Sequence, residues 1–413
     1  MVYALNDDVY IVNGKAKSCI YDFNSSKLYS INGALSQELN LVNMGKTRIG
    51  SINKELKTIF DQLMQLGILI NTDKPVERKI NEIALQDRGL TFAWIEITSK
   101  CNLRCKHCYN ESDIHCDKVM SLQNYKQVID NLLELGIQKV QIIGGEPFFD
   151  NIILKEMLDY TVGKFQIIEI FTNGTLIPKD WFEYLAQNNI RMALSIYSYD
   201  EKIHDSITKV KGSWQRTNQT IAELSRLGIQ YRVCNVLMKG VALGEQTTNL
   251  YSLSADKDIV RMSGRANFAL LTDELIRKKL ITKDSFGEAI TKSFCASLVS
   301  GHNCFRSRLY ISADMVVYPC VMERRLKHCS INHGQKISID DTILHLTKDK
   351  IDKCSHCEYR YACFDCRPNS LSGCIYEKPW YCTYDPDTGE WGNVEEFIED
   401  LRSQWSGTLS DGK

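Results

Sequence analysis

Three cysteines, Cys101, Cys105 and Cys108, fall within the stretch TSKCNLRCKHCYNE (98–111). The CxxxCxxC spacing puts three thiolates within reach of one small cluster. Three ligands leave one iron of a 4Fe–4S cube without a protein ligand, and an open metal position is how a site admits a substrate or cofactor. Taken alone, the spacing also suits a zinc loop or three unrelated core cysteines. Cys116 lies outside it. A second motif, Gly144, Gly145, Glu146 and Pro147, follows the strand-like run KVQII. Two glycines let backbone approach a ligand closely, and polar groups at a strand end bind an ammonium.

These loops need a scaffold. From residue 90 to 290 strand-like runs alternate with helical ones: FAWIEI (92–97), KVQIIGG (139–145), FQIIEIFT (165–172), RMALSIYS (191–198) and YRVCNVLM (231–238), with helical stretches such as 122–136 between them. That alternation predicts an α/β fold with a parallel sheet, open or barrel-like, and a site at the carboxyl ends of its strands. Residues 1–75 form a smaller unit. Short strands are expected at 9–12, 18–23 and 27–31. A helix follows with Leu56, Ile59, Phe60, Leu63 and Met64 on one face and Gly67 at its end. Three strands and then helices suggest a winged-helix shape. Residues 76–89 read as a linker, 291–390 as a cysteine-rich domain and 391–413 as a C-terminal helix and tail.

Ten of the 16 cysteines lie after residue 290. MVYALNDDVY is too polar for a secretion signal, so the thiols are expected reduced in the cytoplasm, where clustered cysteine means metal or redox chemistry. No apolar run is long enough to span a bilayer. The net charge is −1, and residues 1–73 carry seven Lys or Arg against seven Asp or Glu. Neither a nucleic-acid nor a membrane partner is expected.

The cysteine loop resembles the signature of the radical S-adenosylmethionine (radical SAM) superfamily, and Gly144–Pro147 is similar to that family's GGEP motif. The resemblance implies a partial (β/α)6 TIM-like barrel. Cys101, Cys105 and Cys108 would bind a 4Fe–4S cluster whose open iron is chelated by S-adenosylmethionine, and reductive cleavage would yield a 5′-deoxyadenosyl radical. His107 takes the family's aromatic position. Gly144, Gly145, Glu146 and Pro147 would receive the methionyl amino group. Thr172 and Asn173 would lie near the ribose and methionyl carboxylate. Ser195 would hydrogen-bond the cofactor, and Asn235 and Val236 would pack at the adenine. A stretch with His204, Asp205 and Gly212–Trp214 also resembles the superfamily, with no chemistry assigned.

The tail resembles the SPASM extension of these enzymes, which holds two auxiliary 4Fe–4S clusters, making three in all. Carried over by position, Cys304, Cys320 and Cys366 would ligate the first, with Cys295 or Cys374 as a fourth ligand or an open iron. Cys354, Cys357, Cys363 and Cys382 would ligate the second. Val321 stands where some relatives carry an Asp base, and Glu323 is a nearby substitute. The N-terminal unit resembles a precursor-peptide recognition element, which takes a leader peptide as an added strand. Together these imply a maturase of a ribosomally made precursor peptide, drawing electrons from a flavodoxin- or ferredoxin-type reductant. The crosslink would be a thioether, favoured slightly over carbon–carbon because the first auxiliary cluster looks incompletely ligated. Two alternatives stand beside it: a sulfatase-maturing or quinone-cofactor-type oxidase, and a non-catalytic iron–sulfur or zinc protein.

Overall fold

The computed structural model describes residues 2–410 except 48, 49, 51, 87, 88, 242–257, 288, 365 and 370–372. The chain divides into two compact units. One comprises residues 1–87, 280–303 and 345–413; the other comprises 88–279 and 304–344. The expected border at 290/291 is therefore not where the units divide, and the 291–390 stretch is shared between them.

The first unit begins with β1 (Val2–Leu5), which pairs antiparallel with β5 (Leu69–Thr72). Between them, β2 (Val9–Asn13), β3 (Lys17–Asp22) and β4 (Lys27–Asn32) form an antiparallel sheet in that order, with β4 at its edge. Helices α1 (Gly33–Asn43) and α2 (Lys54–Gln65) follow. Each is capped by an asparagine, whose side chain accepts from Leu35 N (Asn32, 2.9 Å) or Leu56 N (Asn53, 2.8 Å), satisfying an amide the helix cannot. The three expected strands and α2 are present; β1, β5 and α1 add to them.

Strand β3 is buried on both faces. Alternation sends Ile20 to a cluster with Tyr3, Leu39 and Phe60, and Cys19 and Tyr21 to another with Cys295, Tyr359 and Tyr384. The second cluster joins the amino-terminal sheet to later parts of the unit.

In the second unit five parallel strands alternate with helices: β6 (Phe92–Glu96), α3 (Leu122–Glu134), β7 (Lys139–Ile143), α4 (Asn151–Thr161), β8 (Ile167–Thr172), α5 (Trp181–Gln187), β9 (Arg191–Ser195), α6 (Glu201–Thr208), α7 (Ser213–Arg226) and β10 (Tyr231–Cys234). Register places Ile95, Ile142, Ile170 and Met192 side by side in one fully buried row. A sixth parallel strand, β11 (Arg308–Ile311), pairs with β6, and β12 (Val316–Tyr318) and β13 (Cys329–Ser330) extend the sheet antiparallel. The result is a mixed eight-stranded sheet.

The first unit resumes with α8 (Lys292–Ser300), the hairpin β14 (Tyr384–Asp385) and β15 (Glu390–Trp391), and α9 (Val394–Ser410). Residues 411–413, the end of the expected tail, lie outside the described residues.

Candidate functional site

The carboxyl ends of β6 to β10 carry every residue the sequence marked for the cluster and its cofactor. Cys101 is buried in the loop after β6 and accepts a hydrogen bond from Leu103 N (3.4 Å). The loop is held from three sides. Arg104 N and Lys106 N donate to the carbonyls of Thr208 and Ile207, both at 3.0 Å. Asn173 Nδ2 donates to Asn102 Oδ1 at 2.9 Å. Arg265 donates its backbone N–H to Cys108 O (3.0 Å) and its guanidinium to the carbonyls of Cys105 (3.4 Å), Glu111 and Ser112 (2.9 Å). One arginine thus fixes the return of the loop, and no spacing signal marks it in the sequence.

The glycines of the second motif answer to this loop. Gly145 N donates to Thr98 O and Glu146 N to Lys100 O, both at 2.7 Å. A Cβ on Gly145 would lie 2.1 Å from Lys100 O, and one on Gly144 would lie 2.6 Å from Thr98 O. Only glycine lets the two strand ends run this close. Glu146 is fully buried and turned toward the next loop. Its carboxylate accepts from Thr172 Oγ1 (2.6 Å), Asn173 N (2.8 Å) and Phe148 N (3.0 Å). Burial pushes its carboxyl up to about 7, against those three donors. Glu146 therefore ties the Gly144–Pro147 and Thr172–Asn173 loops together.

Ser195 ends β9 and bonds the hydroxyl of Tyr197, which also bonds the Cys105 thiol. Tyr197 packs edge-on against His107 (4.7 Å) and face-on against His204 (5.4 Å), whose Nδ1 accepts from Tyr197 N (3.2 Å). Asp205 accepts from the backbone N–H of Gly212, the hydroxyl of Ser213 and the backbone N–H of Trp214. The stretch given no chemistry is a brace. Burial lowers His107 to about 4, so its ring is neutral near pH 7. His107 Nδ1 and Asn235 Nδ2 are buried with no partner among the described residues. Val236 is half-buried beside Asn235. Unpaired buried polar atoms are costly, and two of them at these strand ends fit a polar heteroaromatic cofactor such as S-adenosylmethionine.

In the first unit, Cys354, Cys357, Cys363 and Cys382 line one small cavity, of about 30 Å³. Lys348, Lys353, Arg360 and Lys378 line it too. Four thiols with four cations around them fit an anionic iron–sulfur cluster. Beside the cavity Glu358 is fully buried; its Oε1 accepts from Tyr384 Oη (2.5 Å), and its Oε2 has no partner among the described residues. Cys295 is buried on α8, in the core with Cys19 and Tyr359. Cys366 and the exposed Cys374 belong to the same unit, and Cys304 and Cys320 to the other. Glu323 is buried and engaged by Arg325, whose Nε lies at 2.8 Å. Among the described residues no three His, Cys, Asp or Glu side chains converge to hold a single metal ion. Thiolates on a 4Fe–4S cube each bind a different iron and need not converge on one point.

Residues 95–246 match the profile of the radical SAM superfamily. This chain carries a radical SAM domain. Over 174 residues it is 38% identical to the antilisterial bacteriocin subtilosin biosynthesis protein AlbA of Bacillus subtilis, covering 42% of this chain and 38% of that protein. It is 32% identical to the GTP 3′,8-cyclase of Alkaliphilus oremlandii over 182 residues, covering 42% of this chain and 56% of the cyclase. The chain thus spans from under two fifths to just over half the length of these curated relatives. Among solved structures, Streptococcus suis SuiB bound to precursor peptide SuiA aligns with 91% of this chain and 98% of its own, at 14% identity and a TM-score of 0.51. Native anSMEcpe with bound AdoMet aligns with 78% of this chain and 100% of its own, at 15% identity and a TM-score of 0.50. At such identity these two matches concern the fold. Among the described residues no helix is long and apolar enough to cross a membrane.

Proposed function

We propose that the chain is a radical SAM maturase that crosslinks a ribosomally made precursor peptide. The observation that carries the reading is the three-thiol loop zipped against the glycine strand end at the carboxyl edge of a parallel sheet. When bound, a 4Fe–4S cluster and S-adenosylmethionine supply a 5′-deoxyadenosyl radical. Cys101, Cys105 and Cys108 would hold the cluster, and Arg265 and Asn102 keep their loop in shape. The backbone of Gly144 to Pro147 would take the cofactor's amino group. Glu146 would set the distance from that backbone to Thr172 and Asn173. His107 and Asn235 would offer their unpaired nitrogens to the adenine. Cys354, Cys357, Cys363 and Cys382 would hold a further cluster.

The likeness to a subtilosin biosynthesis protein supports a peptide substrate. So does β4: it is an edge strand, and among the described residues no strand pairs with its outer side, leaving room for a leader peptide to add there. The reading keeps the slight preference for a thioether over a carbon–carbon bond. Mass spectrometry of short peptides encoded nearby, each co-expressed with the enzyme, tests it. A loss of two hydrogens per crosslink is expected, with capping of the peptide's cysteine by iodoacetamide abolished if the bond is a thioether. Unchanged masses for every such peptide, from an enzyme that still cleaves S-adenosylmethionine, would overturn it. Turnover of GTP in their place would turn the reading toward the cyclases.

A further inference from the structure

A second cavity, of about 230 Å³, opens in the unit of the parallel sheet. Strand β6 and the loop after it supply Glu96, Ser99, Asn110 and Lys118, and β12 with the turns on either side of it supplies Asp314, Tyr318 and Arg324. Its volume is below the usual range for a whole small-molecule ligand and suits one side chain with its flanking backbone.

The acceptors of this cavity are largely spent. Glu96, 4% exposed, accepts from Asn110 Nδ2 (2.6 Å) and from the hydroxyl of Tyr310. Asp314 accepts from Lys118 Nζ and Ser312 Oγ, both at 2.6 Å. Asp117 is exposed. Two donors are not spent. Arg324 gives its Nε to Val321 O (3.4 Å) and its Nη2 to Asn110 Oδ1 (2.7 Å) and Tyr310 Oη (2.9 Å). Its Nη1 has no partner among the described residues. The Tyr318 ring stacks on Tyr310 at 5.9 Å, and its hydroxyl has no partner among them either. Arg324 is only loosely balanced by Glu96, at 3.9 Å, because the Tyr310 hydroxyl already occupies that oxygen. What remains on offer is a guanidinium edge and a phenol, and a planar guanidinium favours a carboxylate over a neutral carbonyl.

We propose that this cavity is a carboxylate subsite, in which Arg324 and Tyr318 hold an acidic side chain of the peptide beside the cysteine loop. The inference rests on the peptide-maturase reading for the source of the carboxylate and on the cavity alone for its chemistry. Both residues would position the substrate.

The test uses the full chain and three probes in saturation-transfer NMR: an acetylated, amidated glycine–aspartate–glycine tripeptide, its asparagine counterpart, and free succinate. The aspartyl tripeptide and succinate should bind, the asparaginyl tripeptide at least tenfold more weakly. Arg324→Gln should weaken the two carboxylate probes at least tenfold. Tyr318→Phe, which keeps the stacked ring and removes one hydroxyl, should weaken them at least threefold, and it decides the matter if Arg324→Gln does not fold. Equal binding of the two tripeptides, binding unchanged in Tyr318→Phe, or no binding of any probe would overturn the subsite. Succinate held in an Arg324-dependent way while neither tripeptide binds would leave the subsite standing and remove the peptide from it.

Discussion

Glu146 sits with no solvent exposure between two loops, and its proton is a lever on them. Three donors favour the carboxylate and burial opposes it more strongly, raising the group from 4.5 to about 7. The folded state therefore binds this proton more tightly than the unfolded one. Its contribution to stability is fully present below about pH 4.5 and is lost as pH rises through about 7. Glu146→Gln keeps the shape and abolishes the titration. Denaturant unfolding between pH 4.5 and 8 should show the wild type losing stability relative to Glu146→Gln, on the order of 3 kcal/mol across that window and flat above it. A pH-independent difference would mean that Glu146 is ionised throughout. The motif around this residue was plain in the sequence, because glycine pairs and cysteine spacings are local. Its bonds to Thr172 and Asn173 were not, since they join residues about two elements apart. Arg265 was invisible for the same reason: a lone arginine carries no pattern, and its partners, four backbone carbonyls and the Asp113 carboxylate, lie more than 150 positions away.

At the scale of elements, periodicity read the parallel strands well. All five expected runs became β6 to β10; four are trimmed by one to four residues at their carboxyl ends, where the chain turns into the site, and β8 starts two residues late but keeps its carboxyl end. Strand β11 was not expected, because it lies between Cys304 and Cys320 inside the 291–390 cysteine-rich stretch; its partner β6 lies some 200 residues earlier. Helix α1 was missed because GALSQELNLVN buries only Ser36, Leu39 and Val42 and has no long apolar stripe. The element with most to test is β4. If a leader peptide adds to its free edge, amide exchange across residues 27–32 should slow at least tenfold when the precursor peptide is added, while α2 is unaffected. Slowing confined to other segments would place the leader elsewhere.

At the scale of the molecule, the amino-terminal sheet cannot be treated as a detachable module. Tyr21 Oη donates to Glu358 O (2.9 Å), Lys15 N to His356 O (2.9 Å) and Arg360 Nη1 to Asn13 O (2.9 Å). These bonds tie β2, β3 and their turn to the segment that carries Cys354, Cys357 and Cys363. Sequence divided the two by some 300 residues and gave them separate domains. Removing residues 1–73 would uncover Cys295, Tyr359 and Tyr384. The truncated chain should lose about four irons per molecule on anaerobic reconstitution, the content of one cluster, together with any leader binding. Full iron content in that truncation would separate the sheet from the cysteine cavity.

The same arrangement has a consequence for how the protein is made. Strand β3 offers Cys19 and Tyr21 to a core whose other half, Cys295, Tyr359 and Tyr384, is translated much later. At ordinary elongation rates the ribosome needs on the order of 15–60 s to cover that interval. Through it the amino-terminal sheet waits with one apolar face uncovered, while the parallel sheet between is synthesised. If Cys354, Cys357, Cys363 and Cys382 hold iron, its loading then follows synthesis of the parallel sheet, and the residues of β3 are buried long after they are made.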